Sequence, residues 1–387
     1  MTPKKPVALL ALAGACVLAV AAPAALAAPP APAPVTPQPA PSATEPIIPV
    51  GDVDTALTSK SGQTLAAAPT QASAAEDSAR VVGIIVELTS GADRASALAA
   101  MNEAVAGVDP GASAEVSREY TNAFSGFALK APAGSLDAIR SVSGVKAAFL
   151  EREGRVSDVA TPDAEGGIES SQTGGQDPAN LSAHLMMHID QVAQKGEGKV
   201  IAVIDTGVDM THPAFTGELA GTPPLTPQKV AAMTSQLGEG KTGVYVSQKF
   251  PFAYDYADGD NDASPAKSPY GSHGTHVAGI AAGNADKIVG TAPDAQIIVG
   301  KVTRTEDDAL LDSALLASLD DMVVLHPDVI NLSLGWTAGM DNEADSVYAT
   351  VYKKLAEEGI TVNAAAGNAF STGYGNMSGK GLPYASD

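Results

Sequence analysis

Four residues of this chain have the chemistry of proton transfer or oxyanion binding: Asp205, His273, His276 and Asn368. Asp205 closes the apolar run KVIAVID and is followed by Thr206-Gly207-Val208-Asp209. A carboxylate leaving a strand into a glycine turn is either a working group or only the cap of that turn, and position alone does not separate the two. His273 and His276 lie in GSHGTHVAGI, and imidazole is the side chain best suited to general-base work near neutral pH. The pattern H-x-x-H lacks the i, i+4 spacing and the glutamate of H-E-x-x-H, which argues against a zinc peptidase site. His273 falls at the open start of a helix and can reach a cleft. His276 is about 300° further round and one turn deeper, and is expected to make a core hydrogen bond. Asn368 ends the run ITVNAAAGN. Its amide could donate to a developing oxyanion, worth about 3 kcal/mol when aimed correctly; the plain alternative is an asparagine turn.

Two lesser groups carry chemistry as well. Asp258, Asp260 and Asp262 alternate in DYADGDND as calcium ligands can, but without the terminal glutamate of the twelve-residue loop. They are candidates for a structural calcium ion or a solvated acidic loop. Trp336, the single tryptophan, follows Ser333-Leu334-Gly335 and either lines an apolar pocket or packs beneath that segment.

The elements that hold these residues are legible from Lys199 onward. KVIAVID, AQIIVGKV, DVINLSLG and ITVNAAAGN read as apolar strands, with candidate helices THVAGIAAG, DDALLDSALLASLDDMV and NEADSVYATVYKKLAEEG among them. Apolar strands without strict alternation, separated by helices, predict an α/β fold with a parallel sheet covered on both faces. Its active site is expected beyond the carboxyl ends of the strands.

Upstream the character differs. MTPKK, an apolar run to about Ala22 and Ala25-Leu26-Ala27 read as a secretory signal peptide over residues 1–27, being short and followed by a small-residue cleavage site. Cys16, the only cysteine, lies inside it, so a processed chain has neither disulfide nor thiol chemistry. Residues 28–78 are rich in Pro and Ala, with too few large apolar groups to fold. RVVGIIVEL, RASALAAMNEAVAGV, REYTNAFSGFALKA and SLDAIRSVSGVKAAFLERE then alternate strand, helix, strand, helix, strand, a small α+β module over residues 79–153. A polar, glycine-rich hinge or processing region covers 154–198, with one helical piece, AHLMMHIDQVAQ. A formal charge of −21 argues against nucleic acid and anionic membranes as partners.

Together the motifs resemble one family. VIDTGVDMTHPAF, GSHGTHVAGIAAG, GTAPDAQIIVGKV, DVINLSLG and ITVNAAAGN occur in the order of the subtilisin-like serine proteases, and KFPFAYDYADGDND is similar to their cell-envelope branch, which includes lactocepins and streptococcal complement-degrading peptidases. The resemblance implies a secreted or envelope-associated bacterial endopeptidase acting on polypeptides without a required cofactor. Asp205 would orient the imidazole of His273, the general base; Asn368 would supply the oxyanion-hole amide, and Ser333, Leu334 and Gly335 would pair with substrate. His276 matches a histidine that packs inside the fold. The upstream module matches the family's propeptide, which implies a ferredoxin-like domain acting as an intramolecular inhibitor, with the partial catalytic domain over 199–387.

One part of the pattern has no counterpart. The family's nucleophile lies in G-T-S-x-A-x-P, and no such motif occurs here. Ser272, Ser333, Ser371 and Ser386 sit in motifs with other roles, in a polar loop or near the terminus. The expectation is a catalytic domain truncated before its serine, with any cell-wall anchor further downstream and the piece itself inactive. The alternative is an inactive short product or a surface protein that holds peptides in the same cleft.

Overall fold

Apolar runs with few charges suit strands buried on both faces, and such runs form the centre of the computed structural model, which describes residues 78–155, 184–237, 242–268, 271–286, 288–335 and 342–365. All of these belong to one compact unit, Ala66–Asp387. The leader, nearly all of the spacer, most of the hinge, Trp336 and Asn368 lie outside the described residues.

The first part runs β1 (Val81–Leu88), α1 (Arg94–Val108), β2 (Glu115–Tyr120), β3 (Gly126–Pro132), α2 (Leu136–Arg140) and β4 (Val145–Leu150), then a short β5 (Glu153–Arg155). Its four-stranded sheet has the order β2-β3-β1-β4 and is antiparallel throughout. The stretch REYTNAFSGFALKA, read as one strand, is two strands joined by a turn at residues 121–125. Helix α1 starts at Asp93, whose carboxylate accepts from Ser96 N at 2.8 Å, and buries Ala97, Met101 and Val105. That four-residue spacing lays one helical stripe on Ile84, Val86 and Leu129 of the sheet.

The second part contains β6 (Val200–Asp205), α3 (Pro227–Thr234), β7 (Phe252–Asp255), α4 (His273–Ala282), the small hairpin β8 (Asn284–Ala285) and β9 (Ile288–Val289), β10 (Gln296–Lys301), β11 (Ala309–Leu311), α5 (Asp312–Leu325), β12 (Val329–Leu332), α6 (Asn342–Glu357) and β13 (Thr361–Ala364). Five strands form a parallel sheet in the order β13-β12-β6-β10-β7. Val203, Val299 and Ala253 face Ala278 and Ala282 of α4. On the other face, Ala202, Ile204, Ile298 and Phe252 join the core that contains α5 and α6. The alternation of odd and even residues between the two cores is the period-2 signature of a strand.

Two sequence expectations change here. The run DDALLDSALLASLDDMV is not helical from its start: Ala309–Leu311 is a strand, antiparallel to β5, and the helix begins at Asp312. The strand's partner, Glu153–Arg155, lies far away in sequence and pairs Ala309 with Arg155 and Leu311 with Glu153, so local pattern could not show it. The helical piece over 183–194 shrinks to short turns, among them Ile189–Gln191.

The second face of the module's sheet, with Ile85, Tyr120, Ala128 and Phe149, packs into the same core as α5 and α6. Helix α5 is therefore covered on both sides, and its acidic residues Asp312, Asp320 and Asp321 are buried. Buried carboxylates need donors. Asp321 accepts from Tyr256 OH at 2.9 Å. Asp320 accepts from the backbone N–H groups of Thr121 (3.1 Å), Asn122 (2.9 Å) and Ala123 (2.7 Å) and from Asn122 Nδ2 (3.1 Å). One carboxylate thus clasps the turn between β2 and β3.

Candidate active site

Asp205 stands at the carboxyl end of β6, where the chain leaves the sheet through Gly207 at φ +95°. A Cβ at Gly207 would lie 2.7 Å from Ala263 O and 2.8 Å from Ser264 O, so glycine is needed both for the conformation and for the space. Opposite, α4 opens with His273-Gly274. A Cβ on Gly274 would come within 2.3 Å of Gly207 O and 3.1 Å of Asp205 Oδ1. Its absence lets the start of the helix approach the strand end.

Close approach brings His273 Nδ1 to 2.7 Å from Asp205 Oδ1. An ionised carboxylate only accepts, so the proton belongs on Nδ1, leaving Nε2 with the lone pair of a base. Asp205 is 1% exposed and His273 21%: the carboxylate is sealed while the imidazole keeps an open edge. The hydrogen bond to Asp205 raises the His273 pKa above its usual value; burial opposes the rise and the carboxylate's charge adds to it. Asp205 Oδ1 also accepts from Thr206 N at 2.7 Å.

Two threonines lace the turn to the helix. Thr206 Oγ1 donates to Gly271 O and accepts from Gly274 N, each at 3.0 Å. Asp209 N donates to Thr275 Oγ1 at 2.8 Å. Neither threonine stood out in the sequence, although each sits inside a motif that did, in D-T-G and G-T-H.

His276 does not occupy the core. The buried positions of α4 are Gly274, Ala278, Gly279 and Ala282, whereas His276 is exposed. The expectation of a buried hydrogen bond is corrected: close packing on β6 is made by the glycines and alanines, which turns position 276 outward.

Ser333-Leu334-Gly335 continues β12, the neighbour of β6. Asn331 pairs with Val203, which places Ser333 level with Asp205. Leu334 is buried, and Ser333 Oγ accepts from Asn331 Nδ2 at 2.9 Å. Asn368 follows β13 beyond the described residues. The feature that sequence reasoning missed is β11: the chain's own residues 153–155 pair with it as an added strand, Glu153 opposite Leu311 and Arg155 opposite Ala309.

The three aspartates of the acidic loop do not converge. Asp258 accepts from Thr305 N at 2.9 Å and faces the buried Lys301 ammonium at 3.4 Å. Asp260 and Asp262 instead accept from the backbone N–H of Asp262 (2.8 Å) and Ser264 (3.2 Å). Among the described residues no three His, Cys, Asp or Glu side chains are grouped to hold a metal ion. Lys301 and Asp255, both buried, form an ion pair that ties the ends of β10 and β7 together.

The chain is similar in sequence to several bacterial proteinases. The PII-type proteinase of Lactococcus lactis subsp. cremoris is 30% identical over 262 residues, 66% of this chain and 13% of that protein. The minor extracellular protease Vpr of Bacillus subtilis is 28% identical over 282 residues, 71% of this chain and 30% of that protein. The C5a peptidase of Streptococcus pyogenes serotype M3 is 28% identical over 200 residues, 48% of this chain and 16% of that protein. The chain thus spans only a minor part of the length of each of these relatives. Residues 196–382 match the family described as the subtilase family.

Proposed function

We propose that this chain belongs to a secreted or envelope-associated bacterial serine endopeptidase in which His273 is the general base and Asp205 orients the imidazole and stabilises it once it has taken the proton. The observation that carries the reading is the 2.7 Å contact between His273 Nδ1 and a sealed Asp205, at the strand ends where an α/β sheet places its chemistry. Asn368 supplies the oxyanion donor in this reading. Ser333, Leu334 and Gly335 line one side of an extended substrate and β11 the other, by strand addition.

Residues 79–153 act as the inhibitory propeptide domain. Support comes from the β-α-β-β-α-β order, which is that of a ferredoxin-like fold, and from the pairing of β5 with β11, which fills the strand a substrate would use. Residues 1–27 serve as leader, 28–78 as spacer, 154–198 as hinge and 199–387 as catalytic part. The motif G-T-S-x-A-x-P does not occur in these 387 residues, so the reading requires a nucleophile from outside them. In a covalent step, His273 Nε2 takes the hydroxyl proton as oxygen attacks the carbonyl carbon, then returns it to the leaving amine.

The test is hydrolysis of an unstructured protein such as β-casein by the protease produced in its native host. His273→Ala is expected to abolish turnover, whereas undiminished cleavage by that variant would overturn the assignment.

A further inference from the structure

Arg152 sits between β4 and β5, and its side chain leaves the module. Nε donates to Asp312 Oδ2 at 2.8 Å and Nη2 to Asp312 Oδ1 at 2.7 Å, while the Arg152 backbone N–H donates to Oδ2 at 2.9 Å. Asp312 is fully buried at the start of α5. Tyr348 OH donates to Asp312 Oδ1 at 2.6 Å, and the guanidinium carbon lies 5.7 Å from the centre of the Tyr348 ring. From the module, the Phe149 ring lies 5.8 Å from the same guanidinium. The carboxylate and the tyrosine both belong to the second part of the chain. A planar fork met by two carboxylate oxygens and an aromatic face suits arginine, whereas a lysine ammonium cannot make the paired contact.

Position in the fold gives this pocket a use. Asp312 directly follows β11, and Leu311, the last residue of β11, pairs with Glu153. Any polypeptide added to β11 in this register brings the residue before its paired strand to Asp312. Strand addition supplies affinity with little sequence reading; side-chain pockets supply the selectivity.

We infer that Asp312 and Tyr348 form a guanidinium-recognition subsite, filled here by Arg152, that takes an arginine side chain of an extended polypeptide replacing residues 151–155 on β11. The inference rests on the reading of β11 as the substrate strand. Its experiment uses the full chain with Arg152→Ala, and Arg152→Gln in parallel so that loss of folding in one variant does not remove the test. Ethylguanidinium is expected to raise the thermal midpoint of the variants saturably; ethylammonium is not, and adding Asp312→Asn removes the effect. A labelled peptide of residues 149–155, FLEREGR, is expected to bind the variants about tenfold more tightly than FLEKEGR, as losing a charged bidentate contact implies. Equal action of ethylammonium, or equal binding of the two peptides, overturns the inference. Neither readout uses catalysis, so failure here leaves His273 as the base, and failure of that assignment leaves the binding results intact.

Discussion

Replacing Asp205 with asparagine is expected to lower kcat of the protease by about four orders of magnitude, with KM close to wild type. The substituted amide keeps the shape of the carboxylate, and the bonds by which Thr206 Oγ1 and Thr275 Oγ1 lace the turn to α4 do not involve residue 205, so the turn has no reason to open even though an NH2 at the Oδ1 position gives up the bond from Thr206 N. What changes is the proton. An amide NH2 facing His273 Nδ1 favours the tautomer with hydrogen on Nε2, and that form has no lone pair directed at a hydroxyl. The imidazolium of the transition state also loses its carboxylate. The pH profile gives an independent reading. Activity needs a neutral imidazole, and Asp205 raises the pKa of His273, so the acid limb of kcat/KM should lie above the ordinary histidine value of about 6.5 and fall in the variant. A loss of less than tenfold, or an unmoved acid limb, would contradict the role given to Asp205.

The second large effect is expected at Asp320. Asp320→Ala leaves the N–H groups of Thr121, Asn122 and Ala123 facing a buried void in place of a carboxylate. Each unsatisfied donor costs about 1 to 3 kcal/mol, and water entering the space returns part of it. A net weakening of about 3 kcal/mol corresponds to more than a hundredfold in the docking of the module on α5. Hydrogen exchange reads it: the three amides lose protection, while β1, held by its own sheet and by α1, keeps it relative to the turn. Unchanged protection at residues 121–123 would show that the carboxylate does not hold the module.

How much of this was legible in the sequence depended on the range of the interactions. Asp205 and His273 stood out because the glycines around them mark close approach, and the structure puts Gly207 and Gly274 at that contact. Parallel strands were legible because burial on both faces leaves continuous apolar runs. Long-range pairing was not. Ala309–Leu311 looks like the first turn of an amphipathic helix until β5 is laid beside it, and the turn at 121–125 is hidden in an alternating run until Asp320 supplies acceptors. His276 misled because a motif shared by two histidines does not say which face of the helix packs; here small residues take the inner face. Asp312 and Arg152 gave no signal, since each is an ordinary charge in its local context and only the fold brings them to 2.7 Å.

The central claim is that Asp205 and His273 act as one proton-accepting unit, and a titration of the His273 ring by nitrogen-15 NMR tests it most directly, in the wild-type chain and in Asp205→Asn. The predicted wild-type midpoint lies above the ordinary histidine value, with Nδ1 protonated on the alkaline side of it, and the midpoint falls when Asp205 is replaced. Stability must follow the same sign. Because the folded pKa is raised, the favourable contribution of the protonated pair is complete below the unfolded value of about 6.5 and is lost as pH rises through the folded midpoint. A wild-type ring that titrates at the ordinary value and does not respond to the substitution would contradict the account.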